Sequence, residues 1–291
     1  MEVDALIEWT LERALAGADD THSPPSLRAA VRHAVFPGGA RVRPQLCLAV
    51  ARSCAPEADL SPATGVAAAI ELLHCASLVH DDLPCFDGAD TRRGKPSVHI
   101  TYGEPIALLA GDALIVTAFS ALADGFARAP DRMVELTRIL VESVGMPHGI
   151  VAGQAWESEE TVNLKTYHRS KTGALFVGAA MGGAAAMQCD PAPWKALGER
   201  LGEAYQVADD LRDMAMDGDA LGKPAGQDIR LGRPSAVASY GVSGALNRLE
   251  TLVSAAVDSI PDCDGSDGLR QLVRAQAARL IPTPLAAAAS A

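Results

Sequence analysis

The sequence is poor in basic residues and in aromatic side chains. Lys and Arg total 25 against 36 Asp and Glu, which gives a formal net charge of −11, and aromatic residues make up only 4% of the chain. A nucleic-acid-binding protein needs a basic surface, so this balance argues against DNA or RNA as a partner. The hydrophobic fraction of 48% is therefore mostly Ala, Leu and Val, which suits helices around a large core.

Paired cysteines and long apolar segments are also missing. None of the six cysteines forms a Cys-x-x-Cys pair, so no zinc site is expected. Several stand in apolar helical runs, which fits free thiols in a reducing, cytoplasmic environment. The acidic, amphipathic N-terminus is unlike a signal peptide. No apolar run is expected to reach the roughly 18 residues of a membrane span.

Helical periodicity dominates the chain, and no segment predicts a strand. Long helices are expected over about 62–82, 104–126, 164–188 and 193–216, with Pro84 ending the first of them. Helices that are apolar on most sides belong inside a bundle. No linker rich in Gly, Ser or Pro interrupts the pattern. We therefore expect an all-α, single-domain bundle over residues 1–291, with roughly 10–13 helices and a frayed tail after about residue 282.

Two clusters of aspartates follow apolar helical segments. The first lies in "LVHDDLPCFDGAD" and contains Asp81, Asp82 and Asp87; the second lies in "QVADDLRD" and contains Asp209, Asp210 and Asp213. Charge beside a core helix is costly unless it is compensated. Asp209 and Asp213 are four residues apart and share one helix face. Carboxylate oxygens suit Mg²⁺, which also prefers to share substrate phosphates.

Cationic side chains occur close to both clusters. Arg92, Arg93 and Lys95 follow the first, Lys223 follows the second, and further groups stand elsewhere: Arg41, Arg43, Lys171 and Thr172. Guanidinium groups bind phosphate through two parallel hydrogen bonds. The combination predicts a diphosphate site in an apolar bundle that could hold a hydrocarbon tail. The simpler alternative is a solvated acidic helix end with a basic surface turn that pairs with Asp87 or Asp90.

Together these motifs resemble the trans-isoprenyl diphosphate synthase family, which includes the farnesyl and geranylgeranyl diphosphate synthases. The resemblance runs from Pro37 to about Tyr240. It rests on "DDLPCFDGADTRRGKP" and "QVADDLRD", and on the blocks "GDALIVTAF", "SKTGALF" and "GKPAGQD" in the family's order. Within the family, the sequence is most similar to the geranylgeranyl diphosphate synthases of purple-bacterial carotenoid clusters.

The resemblance implies an isoprenoid synthase fold around a deep apolar cavity, a homodimer, and three Mg²⁺ ions. The implied metal-site residues are Asp81, Asp82, Asp87, Asp209 and Asp213, with Asp82, Asp210 and Asp213 acting indirectly or through water. The allylic diphosphate is expected at Arg92, Lys171, Thr172, Gln206 and Lys223. Isopentenyl diphosphate is expected at Arg43, His74 and Arg93. The implied catalytic residues are Asp81, Asp87, Arg92, Lys171 and Asp209. Arg212 is expected to point away from the site.

The sequence departs from the family pattern at one position. The family's "GGKRxRP" is "GGARVRP" here, so Ala40 stands where a lysine would contact isopentenyl diphosphate. Either Arg41 or Arg43 then carries that contact, or the affinity for this substrate is lower.

Product length is predicted from the residues just before Asp81. Ala76 and Ser77 lie roughly 5–6 Å, one helical turn, before it. In the family an aromatic residue at this level stops growth at fifteen carbons, so two small residues predict a C20 product, geranylgeranyl diphosphate. Leu72 and Leu73 could form the next floor. The alternatives are that Ala76 only allows close helix packing, and that the product is farnesyl diphosphate.

Three other functions remain open from the sequence. A terpene cyclase also uses an aspartate-rich motif, but its second metal motif normally has an Asn/Asp, Ser/Thr and Glu pattern. A non-catalytic subunit of a heteromeric synthase usually lacks one of the two motifs. A di-iron protein would need two Glu-x-x-His motifs, and only Glu71-x-x-His74 is present. His74 could also be a buried, hydrogen-bonded histidine without a binding role.

Overall fold

The all-α prediction is confirmed. The computed structural model describes residues 2–17, 22–36, 38–127, 129–161, 163–215 and 235–278. These residues contain thirteen α-helices and one short hairpin. The elements in chain order are α1 Val3–Ala16, α2 Pro25–Val35, α3 Val42–Cys54, α4 Ser61–Asp81, β1 Thr91–Arg92, β2 Lys95–Pro96, α5 Val98–Tyr102, α6 Glu104–Gly125, α7 Met133–Val144, α8 Ile150–Ala155, α9 Leu164–His168, α10 Ala174–Ala186, α11 Lys195–Ala215, α12 Ala236–Asp258 and α13 Ser266–Ala278.

Helix α4 occupies the centre of the bundle and carries the first aspartate cluster. It packs against α1, α3, α6 and α10, and most of its residues are buried. Pro62 stands in its first turn, where the missing N–H costs no intrahelical hydrogen bond. The helix ends at Asp81, and Pro84 follows two residues after Asp82. A buried helix therefore ends on the two acids, as the apolar pattern predicts.

The expectation that the chain has no strand is wrong at one place. β1 pairs antiparallel with β2, and Arg93 and Gly94 form the two-residue turn between them. Both turn residues have positive φ, 54° for Arg93 and 73° for Gly94, as the tight turns that suit hairpins require. Two-residue strands are too short to give a periodic signal. The turn brings Arg92 and Arg93 to the same cavity.

The single helix predicted over 164–188 is interrupted. A π-helical turn, Arg169–Gly173, separates α9 from α10. In a π turn the backbone hydrogen bonds span five residues instead of four, and such turns occur frequently at functional sites. This turn contains Lys171 and Thr172. Periodicity alone does not distinguish it from a regular helix, because the apolar residues on either side continue the pattern.

Two separate apolar clusters stabilise the fold. The larger one includes residues of α1 to α7 and of α10 to α13. The smaller one joins α11 to α12 through the buried residues Ala204, Val207, Ala208, Leu211, Ala236, Ala245, Leu249 and Leu252. All six cysteines are free, consistent with the expectation for a reducing compartment.

Two helices contradict the expectation that no apolar segment is long enough to span a membrane. By length and mean hydropathy, α4 and α6 could each cross a membrane, and their most apolar windows are 78% and 39% buried inside the protein. The core helices of soluble proteins also meet this criterion, and the burial of α4 is typical of them. The outer face of α6 instead exposes apolar residues, including Leu108, Leu109 and Val116.

Candidate active site

A polar cavity of about 390 Å³ contains most of the residues singled out from the sequence. It lies where α3, α4, the hairpin, the π turn and α11 meet. Its lining includes seven residues predicted to bind diphosphate: Arg43, His74, Arg92, Arg93, Lys171, Thr172 and Gln206. It also includes three of the predicted metal residues: Asp81, Asp87 and Asp209. The eighth predicted diphosphate ligand, Lys223, lies outside the described residues.

The Asp81 side chain is held between an amide and a cation. Its side chain is buried, and Gln154 Nε2 donates to Oδ1 at 2.8 Å. Lys171 Nζ lies 3.7 Å from Oδ2. Burial raises the pKa of Asp81, while the Lys171 charge and the Gln154 hydrogen bond oppose this shift. One carboxylate oxygen is thus held by an amide, and the other faces a cation.

Asp82 has a different environment from Asp81. It is 2% exposed and does not line the cavity. Arg92 donates to it through Nε at 3.0 Å and also through Nη2, which forms a two-point ion pair. Burial raises the pKa of Asp82, and the hydrogen bonds and charge of Arg92 oppose that rise. Asp82 therefore holds Arg92 in place at the cavity, an arrangement that the sequence-based metal assignment did not anticipate.

In the second aspartate cluster, too, one acid lines the cavity and another is buried away from it. Asp209 lines the cavity, whereas Asp213, one turn further along α11, is buried and does not. Arg212 Nη1 lies 3.6 Å from Asp209 Oδ1, and its guanidinium stacks on the Tyr205 ring at 5.6 Å. Arg212 lines a neighbouring apolar cavity and not the polar one, although it lies close to Asp209.

The donor set fits Mg²⁺ shared with a substrate. Asp81, Asp87 and Asp209 present oxygen ligands to one cavity from two helices and a loop. Within the described part of the chain, no three His, Cys, Asp or Glu side chains are close enough together to hold a metal ion by themselves. Mg²⁺ is commonly bound by one or two carboxylates, water and substrate phosphates, so two facing acidic walls do not need to form a closed site.

The side of the cavity formed by α3 and α4 is cationic and contains buried nitrogen atoms without partners. Arg43 is buried with its guanidinium 4.8 Å from the Phe176 ring centre. Among the described residues, neither Arg43 Nε nor His74 Nδ1 has a hydrogen-bond partner. Burial lowers the pKa of His74 well below its usual value, and four nearby arginines add to the effect, so the imidazole is neutral at neutral pH. Buried polar atoms without partners are costly, so this cationic side of the cavity is suited to an anion.

The choice between Arg41 and Arg43 favours Arg43. Arg41 has φ 45° and donates to Glu8 at 2.8 Å, to Glu71 at 2.7 Å and to the Val35 carbonyl at 2.7 Å. Although burial alone would lower it, the pKa of Arg41 is raised by these two glutamates. Both arginines line the cavity, but the Arg41 guanidinium is held by two glutamates and a carbonyl, whereas Arg43 Nε has no partner within the described part of the chain.

Two glutamates that pair with side chains lining the cavity were missed by the sequence reasoning. Glu157 accepts from Lys171 Nζ at 2.7 Å and from the Tyr167 hydroxyl. It stands in the acidic run "WESEE", which looks like a solvated surface segment. Glu71 is 1% exposed and, besides binding Arg41, lies 3.9 Å from Arg93 Nη2. Its place in "ELLH" drew attention only to a di-iron motif, which this pairing does not support.

The predicted chain-length residues occupy different surroundings. Ser77 lines the polar cavity, and its hydroxyl donates to the His74 carbonyl at 2.8 Å. Ala76 is 2% exposed and lines neither the polar cavity nor the apolar one. The apolar cavity has a volume of about 1010 Å³ and lies among α1, α3, α11 and α13. It adjoins the polar cavity at Ala40, Val42 and Tyr205, not below Asp81.

Comparison with known proteins agrees with this geometry. The model of the polyprenyl synthetase family matches residues 24–263. The chain is 50% identical over 289 residues to a geranylgeranyl diphosphate synthase of Cereibacter sphaeroides and 49% identical to one of Rhodobacter capsulatus, and each alignment covers 99% of both chains.

Solved structures share the fold. A geranyltransferase of Helicobacter pylori, crystallised with magnesium and isoprenyl diphosphate, superposes with a TM-score of 0.78 at 28% identity and covers 94% of this chain and 96% of its own. An FPP/GFPP synthase of Zymomonas mobilis also gives 0.78, at 30% identity, over 94% of this chain and 98% of its own.

Proposed function

The chain belongs to the polyprenyl synthetase family, and we propose that it is a Mg²⁺-dependent prenyltransferase that condenses isopentenyl diphosphate with an allylic diphosphate to give geranylgeranyl diphosphate. The single observation that carries this proposal is the polar cavity, in which acids from two distant motifs face cations from three other segments, α3, the hairpin and the π turn. Two relatives named geranylgeranyl diphosphate synthase, about 50% identical over the whole chain, support the C20 product.

The allylic diphosphate would bind between the two acidic walls. Arg92 and Lys171 are each held by a carboxylate partner, Asp82 and Glu157, so their charges are positioned before substrate arrives. Mg²⁺, when bound at Asp81, Asp87 and Asp209, would neutralise the diphosphate and make it a better leaving group; the use of Mg²⁺ is supported by the family and by the magnesium complex of the H. pylori enzyme, and we propose three ions.

The side chains then act on charge that grows during the reaction. As the allylic C–O bond breaks, its electron pair leaves with the diphosphate, and Arg92 and Lys171 stabilise that negative charge. Arg43, Arg93 and neutral His74 would hold isopentenyl diphosphate so that its double bond attacks the allylic carbon. A proton is lost from the adduct to form the new double bond. We assign no side chain as general base, since the released diphosphate can accept the proton.

Product analysis tests the function directly. Purified protein, isopentenyl diphosphate, Mg²⁺ and a C5, C10 or C15 allylic primer should give a C20 diphosphate as the main product. Accumulation of the C15 diphosphate would favour the farnesyl alternative. A cyclised hydrocarbon would indicate a terpene cyclase, and no elongation with any primer would favour a non-catalytic subunit.

Product length should change when a large side chain replaces Ala76, about one helical turn before Asp81. Ala76 is buried on the same helix as Asp81. If the growing chain passes this level, Ala76→Tyr should shift the main product from C20 to C15 while the first condensations continue. The measurement is chromatography of the dephosphorylated products. Ser61→Tyr, at the exposed first residue of the same helix, is the control and should still give C20. An unchanged C20 spectrum for Ala76→Tyr would refute this assignment.

The outer face of α6 supports a homodimer. Leu108, Leu109 and Val116 on this helix are 49%, 50% and 70% exposed, and contiguous exposed apolar surface is typical of protein interfaces. Purified protein should therefore have about twice the chain mass of 30.2 kDa by light scattering. Val116→Glu should lower that mass towards one chain, because a charge would be buried in the contact. A monomeric wild-type protein at micromolar concentration would contradict the dimer.

A further inference from the structure

A chain of three hydrogen bonds links the cavity to the start of α12. The Thr172 hydroxyl donates to Gln206 Oε1 at 2.6 Å, and Gln206 Nε2 donates to Asp210 Oδ1 at 3.0 Å. The other Asp210 oxygen, Oδ2, accepts from the backbone N–H of Ala236 at 2.7 Å. Asp210 is 5% exposed and, unlike Thr172 and Gln206, does not line the cavity.

The direction of these bonds is fixed by the carboxylate. An ionised carboxylate only accepts hydrogen bonds, so the Gln206 amide must turn its NH₂ group towards Asp210. The amide oxygen then faces Thr172, whose hydroxyl must donate to it. The orientation of two predicted substrate-binding side chains is therefore determined by an acid that does not reach the cavity itself.

Asp210 also binds the first residue of α12. Ala236 is the first residue of α12, and its N–H would have no partner within the helix. The Ser235 hydroxyl adds a cap by accepting from Ala238 N at 3.1 Å. The first part of α12 packs on α11 through the smaller apolar cluster, whereas Ala256 and Val257 near its end belong to the larger one. Asp210 is thus a polar link between the start of α12 and the cavity-facing side of α11.

We propose that Asp210 is a positioning residue for the allylic diphosphate, acting through Gln206 and Thr172, and is not a ligand of the metal. The proposal rests on the prenyltransferase function proposed above. It separates the two adjacent acids of the second motif: Asp209 faces the cavity, and Asp210 faces the helix start. Because the bonds form one chain, order at the start of α12 and binding at Thr172 are thermodynamically linked.

Steady-state kinetics distinguish positioning from metal binding. Asp210→Asn keeps an acceptor for Ala236 but presents an NH₂ group to the Gln206 NH₂, so one of the bonds is lost or the amide turns over. The expected result is a rise of about fivefold to tenfold in KM for the allylic diphosphate, with kcat and the half-saturating Mg²⁺ concentration little changed. Asp209→Asn, the neighbouring acid at the cavity, should instead raise the Mg²⁺ requirement. A similar rise in the Mg²⁺ requirement for Asp210→Asn would overturn the proposal.

A double-mutant cycle tests the path through Gln206. Thr172 and Asp210 are joined through Gln206, so independent roles would give additive effects. We expect Thr172→Val to raise KM for the allylic diphosphate at least threefold less in the Asp210→Asn background than in the wild type. Additive changes would show that the two residues act separately and would overturn the proposal.

Hydrogen exchange of the wild-type protein provides a test without mutation or turnover. A non-reactive allylic thiolodiphosphate with Mg²⁺ should slow exchange of the amides at 236–239, because ligand binding at Thr172 should strengthen the linked helix start. Unchanged exchange at saturating ligand would refute the linkage. Without ligand, faster exchange of these amides in Asp210→Asn than in the wild type would report the loss of the bond from Ala236 N–H to Asp210. That comparison remains valid if the protein elongates no substrate, so failure of the proposed function is distinguished from failure of the network.

Discussion

Replacing Asp81 with asparagine is expected to lower kcat/KM for chain elongation by about a thousandfold. The asparagine oxygen can still accept from Gln154 Nε2, which now donates to Asp81 Oδ1 at 2.8 Å. Its NH₂ group would then replace Oδ2, the oxygen that lies 3.7 Å from Lys171 Nζ. A donor would thus face both the ammonium and the proposed metal. The loss should appear mainly in kcat, because the acid acts on charge that develops as the diphosphate leaves.

The fold should tolerate this change, which makes the kinetic result interpretable. Burial raises the pKa of Asp81, so a neutral amide of the same shape removes a desolvated charge from the end of α4. The melting temperature is therefore expected to stay close to that of the wild type. Asp90→Asn removes a charge from the same loop at an exposed position and should retain near wild-type activity. Comparable losses for both variants would mean that general charge, not the position of Asp81, matters.

The end of α4 shows how far the sequence could predict the fold. The apolar run before Asp81 and the proline after Asp82 are local signals, and they located this helix end to within one residue. The hairpin at Arg92 and the π turn at Lys171 were not predicted. A two-residue strand has no measurable period, and a π turn adds one residue to a helix without changing which residues are apolar.

The candidate site, too, was only partly predictable from the sequence. The side chains that line the cavity were found because acids and cations beside apolar helices are locally unusual. Their partners were not found, because the contacts join residues far apart in the chain. Arg41 meets Glu71 and Glu8 at separations of 30 and 33 residues, and Gln154 meets Asp81 at a separation of 73. Only packed helices bring such pairs together, so only the coordinates show that the Arg41 guanidinium is held by glutamates while Arg43 Nε has no partner among the described residues.

Gly153→Ala should lower both stability and activity without altering any polar group. A Cβ at Gly153 would lie 2.3 Å from the backbone nitrogen of Lys171 and 2.4 Å from its Cα. A methyl group would therefore force α8 away from the π turn. Lys171 and Gln154, the residue next to Gly153, both contact Asp81. We expect a loss of about 2 kcal/mol in unfolding free energy from overpacking, measured by urea denaturation. A displacement of about 1 Å at these groups should reduce kcat/KM about a hundredfold.

Gly268→Ala is the matched control for this substitution. Gly268 lies in α13, and a Cβ there would have no atom within 4 Å. Alanine is the better helix former, so this variant should be unchanged or more stable by about 0.5–1 kcal/mol, with wild-type activity. If Gly153→Ala behaved in the same way, α8 and the π turn could separate without cost. The close backbone contact would then have no part in holding Lys171 and Gln154 against Asp81.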